Sequence, residues 1–177
     1  MTVRLAALLL ALAVFPAALA ADAPTQSGRA YVNADLAALL EGLGYESRPI
    51  DGGGQYLRLE RPGYTVDLQI MVAADGAAIL LYSPLREWPD VNAAPESVLI
   101  GLLRRTAQMG PSRFYLAPSS GGHWVGLLRS VDNRGVLPRH VRENIDQLFE
   151  NVKSTEDLWN PERWPRGGAS EPSAMGG

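Results

Sequence analysis

Residues 64–72 read Tyr64-Thr65-Val66-Asp67-Leu68-Gln69-Ile70-Met71-Val72, and apolar side chains occupy the even positions from 66 to 72. The odd positions 65, 67 and 69 are polar. This period of two is typical of a strand that buries one face and leaves the other in water. An Arg-Pro-Gly turn at 61–63 joins it to a second short strand at 56–60. These residues therefore predict a hairpin that belongs to an antiparallel sheet with one covered face.

Three amphipathic helices and three more strands are predicted around this hairpin. Leucines at positions 36, 39, 40 and 43 mark a first helix that begins at Asn33 and stops at Gly44. Apolar residues at helical spacing also mark 92–109 and 138–152. The other predicted strands are 77–82, 113–116 and 123–131. The order α-β-β-β-α-β-β-α predicts a two-layer α+β sandwich, in which a five-stranded antiparallel sheet carries the helices on one face.

This order of elements, over roughly residues 31–159, resembles the type III secretion chaperone-like fold, including the YbjN-like family of bacterial proteins. The resemblance is architectural and is carried by the helix 33–44, the three-stranded meander 55–82 and the strand and helix of 123–152. No catalytic motif takes part in it. The resemblance implies a sheet in the order 1-2-3-5-4, a tendency to dimerise, and a role in binding proteins or peptides.

The N-terminal 20 residues are interpreted as a secretory signal that is cleaved after Ala20. They carry an early cation at Arg4, an apolar run from 5 to 15, a helix-breaking Pro16, and Ala18-Leu19-Ala20 at the cleavage site. The alternative is a transmembrane anchor, but the apolar run is shorter than the roughly 20 residues that a bilayer requires. We therefore expect no membrane span after cleavage, and we expect a bacterial protein that is periplasmic or secreted.

The mature chain is expected to contain one domain. Residues 21–30 are interpreted as a tether, 31–159 as the α+β domain, and 160–177 as a disordered tail rich in Pro, Gly and Ser. The chain has 177 residues and no cysteine, so an exported form must be held together by packing alone. Its formal net charge is −3, and without Arg4 it is −4. Such a chain offers no cationic field for phosphate backbones, so nucleic acid is not an expected partner.

Few residues are suited to catalysis. The chain has only two histidines, and His123 is the one that lies near candidate nucleophiles, Ser119 and Ser120, with Asp132 further along. The serines occupy a Ser-Ser-Gly-Gly turn and lack a G-x-S-x-G elbow, which favours a polar hairpin loop over a triad. We therefore expect a non-enzyme with no metal or cofactor. A small periplasmic hydrolase built on this loop, or a structural envelope component tethered by the tail, is the alternative.

The third and fifth predicted strands carry the most informative anomaly. A sheet with helices on one face should be polar on the other, yet 77–82 is apolar at both parities. The open face must carry either Leu80 and Tyr82 or Ile79 and Leu81 from the third predicted strand. Trp124 and Leu128 of the neighbouring strand are expected beside them. A contiguous apolar patch of this kind usually marks an interface. The predicted interface residues, for a protein, a peptide or a second copy, are Tyr82, Trp124, Leu128 and Leu80, with Trp88 at the edge. The alternative is that residues 156–159, or Trp88 itself, fold over the patch and cover it.

Overall fold

Six strands form one antiparallel sheet in the computed structural model, which describes residues 28–164. The strands are β1 Ser47–Pro49, β2 Gln55–Arg61, β3 Tyr64–Val72, β4 Ala78–Trp88, β5 Ser112–Ser119 and β6 Gly122–Asp132. Their spatial order is β1-β2-β3-β4-β6-β5. Strands β2 to β6 reproduce the expected order 1-2-3-5-4, but the expected count of five was wrong, because β1 adds a sixth strand at the edge.

The added strand β1 has no sequence signal of its own. It contains three residues, none of them buried, and it pairs Ser47 with Leu57 and Pro49 with Gln55. A strand this short shows no alternation, and a proline within it argues against a strand when only the sequence is considered. The strand conformation of β1 therefore results from its pairing with β2 and not from the pattern of its own side chains.

Within residues 28–164, four helices accompany the sheet: α1 Leu36–Gly42, α2 Glu96–Gln108, α3 Pro138–Ser154 and the short α4 Glu156–Trp159. Single 3-10 turns occupy Asn33–Asp35, Val91–Ala93 and Pro161–Arg163. The helix predicted from Asn33 thus begins as a 3-10 turn. It is closed as predicted by Gly44, which has a φ of 81° and lets the Tyr45 N–H donate to the Leu40 carbonyl at 2.9 Å.

The core lies between one face of the sheet and the helices. Helix α3 is the main element packed over the middle strands, and six of its residues are buried. Burying each large apolar side chain contributes about 1.5–3 kcal/mol, so α3 and the strands beneath it supply much of the driving force for folding. The buried strand residues under the helices alternate, as the sequence predicted for β3: Leu57, Leu59, Val66, Leu68, Ile70, Ile79, Leu81, Val125 and Leu127.

A β-bulge in β4 decides the position of Trp88. Odd-numbered residues such as Leu81 face the helices in the first half of β4, but the pairing with β6 shifts between Pro84 and Arg86. One extra residue reverses the alternation, so the even-numbered Trp88 also faces the helices. Trp88 is only 1% exposed. Its placement at the edge of the open face was therefore wrong.

The folded part continues past the predicted limit at 159. The Trp164 ring packs edge-on against Trp88, with ring centroids 5.0 Å apart, and its Nε1–H donates to the Leu158 carbonyl at 3.1 Å. The Trp88 Nε1–H donates in turn to the Trp159 carbonyl at 3.0 Å. Residues 160–164 thus belong to the domain. The predicted signal, nearly all of the predicted tether and the rest of the predicted tail lie outside the described residues.

Asn133 joins the start of the domain to the end of β6. Its side chain is 1% exposed and accepts a hydrogen bond from the Tyr31 N–H at 2.9 Å. It also donates to the carbonyls of Tyr31 and Gly76, at 2.8 and 2.9 Å. Three hydrogen bonds from one amide, two of them buried and one part-buried, hold the N-terminal segment against the β3–β4 turn.

Candidate binding surface

The open face of the sheet carries a group of apolar side chains on three neighbouring strands. Tyr82 on β4 lies directly opposite Leu128 on β6, and Trp124 further along β6 lies opposite Ala117 on β5. Leu80 is the next residue of β4 on the same face. Trp124 is 39% exposed, which is high for an indole in a strand. The structure thus selects the Leu80 and Tyr82 parity from the two that the sequence allowed.

Tyr115 on β5 completes this surface and was missed by the sequence analysis. Its ring lies 4.9 Å from the ring of Tyr82, centroid to centroid. It also lies over Gly126, where a Cβ atom would stand 2.1 Å from the Tyr115 hydroxyl oxygen. A glycine inside a strand is a signal of close approach, and it could have indicated this contact. We name Leu80, Tyr82, Tyr115, Trp124 and Leu128 the open-face patch.

Within the described residues, the hydroxyl of Tyr115 is buried and has no hydrogen-bond partner. Burial also raises the pKa of Tyr82, which keeps its phenol neutral at physiological pH. The middle of the patch is therefore a pair of uncharged aromatic rings. Such a surface favours contact with apolar or aromatic groups.

The other half of the open face is charged. The Arg58 Nε donates to a carboxylate oxygen of Asp67 at 2.9 Å, and the Tyr56 hydroxyl donates to the same carboxylate. The hydrogen bond from Arg58 lowers the pKa of Asp67, which therefore stays ionised. The open-face patch thus has a polar border on the β2–β3 side. An apolar centre beside a polar rim is the usual anatomy of a protein interface.

A second exposed apolar surface lies between α2 and β5, on the face of the sheet that the helices cover. It is a groove of about 320 Å³ lined mainly by Leu99, Leu102, Leu103, Phe114 and Leu116. Leu103 is 73% exposed and Leu116 is 44% exposed. Apolar surface therefore continues around the β5 edge from the open-face patch to α2.

The β5 edge is poorly suited to accept another strand. The Phe114 N–H already donates to the Thr106 hydroxyl at 3.3 Å, and the Ser112 N–H donates to the Met109 carbonyl at 3.2 Å. Pro118 has no N–H to offer. Because these three positions offer no free donor, contacts through side chains are favoured on this side of the molecule.

The predicted serine and histidine do not meet. Ser119 pairs with Gly122 and Pro118 pairs with His123, so Ser119 and His123 occupy opposite faces of the sheet. The Ser119 hydroxyl donates to the Glu87 carboxylate. Asp132 lies nine residues beyond His123 on β6, about 30 Å away at the rise of an extended strand, and it is paired with Arg134. The geometry therefore does not assemble a hydrolytic triad, and Ser120 is an exposed turn residue.

Two further features are absent from the described part of the chain. Between residues 28 and 164, no cluster of three or more His, Cys, Asp or Glu side chains is placed to hold a metal ion. No helix in this range has both the length and the apolar character that a membrane crossing needs.

Comparisons with known proteins identify the fold of the chain. No protein-family model matches the sequence, and no curated protein is detectably similar to it. Among solved structures, YbjN from E. coli, described as a putative transcription regulator, covers 73% of this chain and 91% of its own, with 14% identity and a TM-score of 0.50.

Two complexes are also similar to this chain. A chain in the HopA1–SchA chaperone–effector complex matches with 14% identity and a TM-score of 0.51, covering 69% of this chain and 90% of its own. A chain in the ExsC–ExsE complex matches with 16% identity and a TM-score of 0.52, covering 72% and 92%. The protein therefore has the type III secretion chaperone-like fold that YbjN shares, which confirms the resemblance drawn from the sequence.

Proposed function

We propose that this chain is an exported, non-enzymatic module that binds a partner protein or peptide on its open-face patch. The observation that carries the proposal is the exposed Trp124 beside Tyr82, Tyr115 and Leu128, on the face of the sheet opposite the helices. Aromatic residues at the centre of an apolar patch tend to supply most of the energy of an interface. A monomer rarely leaves such a surface in water.

The choice of a polypeptide partner is supported by two features. The patch is flanked by the Arg58–Asp67 pair, so an apolar anchor and polar contacts are available side by side. Similar folds have been solved in chaperone–effector and ExsC–ExsE complexes. The occupied edge of β5 favours a partner that packs on side chains rather than one that adds a strand.

The test is affinity purification from the native envelope with a matched pair of variants. Trp124→Asp replaces the exposed tryptophan of the patch by a charge, whereas Thr65→Asp places the same charge on an exposed position of the same face, on β3. We expect a stoichiometric protein that co-elutes with the wild type and with Thr65→Asp and is lost with Trp124→Asp. Circular dichroism must show that both variants remain folded. A partner retained by folded Trp124→Asp would refute the proposal.

Light scattering identifies the other possible occupant. If the wild type is a homodimer without a partner, and Trp124→Asp is a monomer, the patch serves self-association, and the proposed polypeptide partner is wrong. If the wild type is a monomer without a partner, the open-face patch is not an interface.

Export is a separate part of the proposal and has its own test. Its support is the sequence pattern of residues 1–20, which ends in Ala18-Leu19-Ala20. We expect the mature protein to begin at Ala21 and to be found in the periplasm or the medium. An intact Met1 on a chain that remains in the cytoplasmic fraction would contradict it, and mass spectrometry of the N-terminal peptide distinguishes the two.

A further inference from the structure

A polar recess lies on the helix side of the sheet, between the end of α2, the start of β5 and the second half of α3. Its volume is about 350 Å³. No acidic side chain belongs to its lining within the described residues. Its polar lining residues are Arg105, Gln108, Arg129, Gln147, Asn151 and Ser154. Two cations and several amides without a carboxylate make this recess electropositive.

Arg129 is the unusual residue of this recess. It sits opposite Leu81 in the sheet, on the face that the helices cover, between Leu127 and Val131. Positions of this parity in the middle strands are otherwise mostly apolar, and a half-buried guanidinium there needs a reason. Burial lowers the pKa of Arg129, because the surroundings solvate its charge less well than water does.

The guanidinium of Arg129 is held in place but is not neutralised. Its Nε donates to the Asn144 amide oxygen at 2.6 Å, and one terminal nitrogen donates to the Ser112 hydroxyl at 2.9 Å. A guanidinium has five N–H groups, so three remain for another acceptor. None of the ion pairs formed within residues 28–164 involves Arg129 or Arg105.

The surrounding side chains form a fixed network. Asn151 is buried and donates to the same Ser112 hydroxyl at 3.0 Å, and it accepts from the Gln147 amide at 3.1 Å. Because Ser112 is only 1% exposed, the acceptor that orients Arg129 cannot move into solvent. The guanidinium fork is therefore oriented before any ligand arrives, which lowers the entropy cost of binding.

We propose that this recess binds an oxyanion, a carboxylate or phosphate group, through Arg129 with the support of Arg105. A planar guanidinium with free N–H groups matches two oxygens of either group, and hydrogen bonds between charged groups are the strong ones. The recess and the open-face patch lie on opposite sides of the sheet. This inference is therefore independent of the proposed partner site, and the two can fail separately.

Titrations of the full chain with inorganic phosphate, acetate and triglycine test the inference. They are followed by calorimetry or NMR at constant ionic strength, with sodium chloride as the balancing salt. We expect saturable binding with a Kd of about 1 mM or tighter for at least one probe. Binding of phosphate alone assigns a phosphate ligand, and binding of acetate and triglycine but not phosphate assigns a carboxylate. Binding of triglycine but not of its C-terminal amide assigns a peptide terminus.

Two adjacent arginines of α2 provide a matched pair of variants. Arg105→Gln removes a lining cation, whereas Arg104→Gln removes an equal charge from a neighbouring exposed position outside the recess. We expect Arg105→Gln to weaken binding about tenfold, the loss of one charged hydrogen bond, and Arg104→Gln to leave it unchanged. Arg129→Lys keeps the charge but loses the fork, and should also weaken binding about tenfold.

Three results would overturn the inference. They are a Kd above about 10 mM for every probe, equal weakening by Arg104→Gln and Arg105→Gln, and full affinity in a folded Arg129→Lys variant. Because Arg105 lies in the last turn of α2, where a cation stabilises the helix, we expect its variant to lose some stability whether or not the recess binds a ligand. Affinity is therefore the deciding readout, and melting temperature is not.

Discussion

Gly126→Ala should destabilise the protein through a single clash with Tyr115. The new Cβ would stand 2.1, 2.4 and 2.6 Å from three atoms at the end of the Tyr115 ring, where ordinary contact begins at 3.4 Å. The ring must therefore retreat by about 1.3 Å or more and lose its packing on Tyr82. Overpacking of this size costs about 1–3 kcal/mol. Gly126 has no positive φ, so backbone strain adds nothing to the cost.

The assay is urea unfolding of four proteins: the wild type, Gly126→Ala, Tyr115→Ala and the double variant. For a domain of this size, 2 kcal/mol shifts the midpoint by about 1 M urea. In the Tyr115→Ala background there is no ring to displace, so Gly126→Ala should be neutral or slightly stabilising. The cycle should therefore give a coupling energy of about 1–3 kcal/mol.

Gly42→Ala is the control, because it adds the same methyl group where no atom lies within 4 Å, at the last residue of α1. It should stabilise the protein by up to about 1 kcal/mol, the difference in helix propensity. The reasoning is refuted if Gly126→Ala has the same effect with and without the Tyr115 ring, or if it changes the wild type by less than about 0.5 kcal/mol.

Three further substitutions test other contacts, each by urea unfolding. Asn133→Ala breaks three hydrogen bonds of a buried side chain and should cost about 3 kcal/mol, at roughly 1 kcal/mol each. Exposed Asn92→Ala should cost less than about 0.5 kcal/mol, and equal effects would contradict the role of Asn133. Trp164→Ala should cost about 2 kcal/mol, and an unchanged midpoint would mean that this ring adds no stability. Asp67→Asn should destabilise at pH 7 but not at about pH 2. Hydrogen bonding from Arg58 lowers the pKa of Asp67 in the folded state. The ionised carboxylate therefore contributes to stability above the pKa of Asp67 in the unfolded chain, and this contribution is lost as the pH falls through the pKa in the folded state. An equal loss of stability at both pH values would contradict this.

The sequence predicted the helices and strands whose apolar residues recur at a regular spacing. The alternation of 64–72, the leucines of α1 and the apolar stripe of α3 each predicted an element that the structure contains. The neighbouring positions of β4 and β6 were also expected, and they bring Tyr82 opposite Leu128. Their role as interface residues stays a prediction.

The misses have local physical causes. β1 exists only through its pairing with β2, so three residues that end in a proline could not reveal it. Trp88 was misplaced because the predicted strand ended at residue 82, whereas β4 continues to Trp88 and a bulge between Pro84 and Arg86 turns this residue toward the helices. The ordered turn at Pro161–Arg163 was hidden in a segment whose composition suggested disorder.

Two informative residues of β6 could have been recognised from the sequence but were not. Arg129 interrupts the inward-facing series of β6 between Leu127 and Val131, and a charge at such a position predicts a special environment. Gly126 in the same strand indicated that a large side chain, here Tyr115, crosses above it. Arg129 and Gly126 both stand out because they interrupt the pattern of a strand, whereas the strands and helices were predicted from the regular parts of their patterns.

The position of α3 at the end of the chain governs when the protein can fold. Synthesis delivers the N-terminus first, so β2, β3 and β4 emerge with their apolar side bare, and β6 must still insert between β4 and β5. The helix that covers these strands arrives with residues 138–154. A chain interrupted before α3 therefore exposes an aggregation-prone sheet, and most of the stability appears only when the last thirty or so residues of the domain have been made.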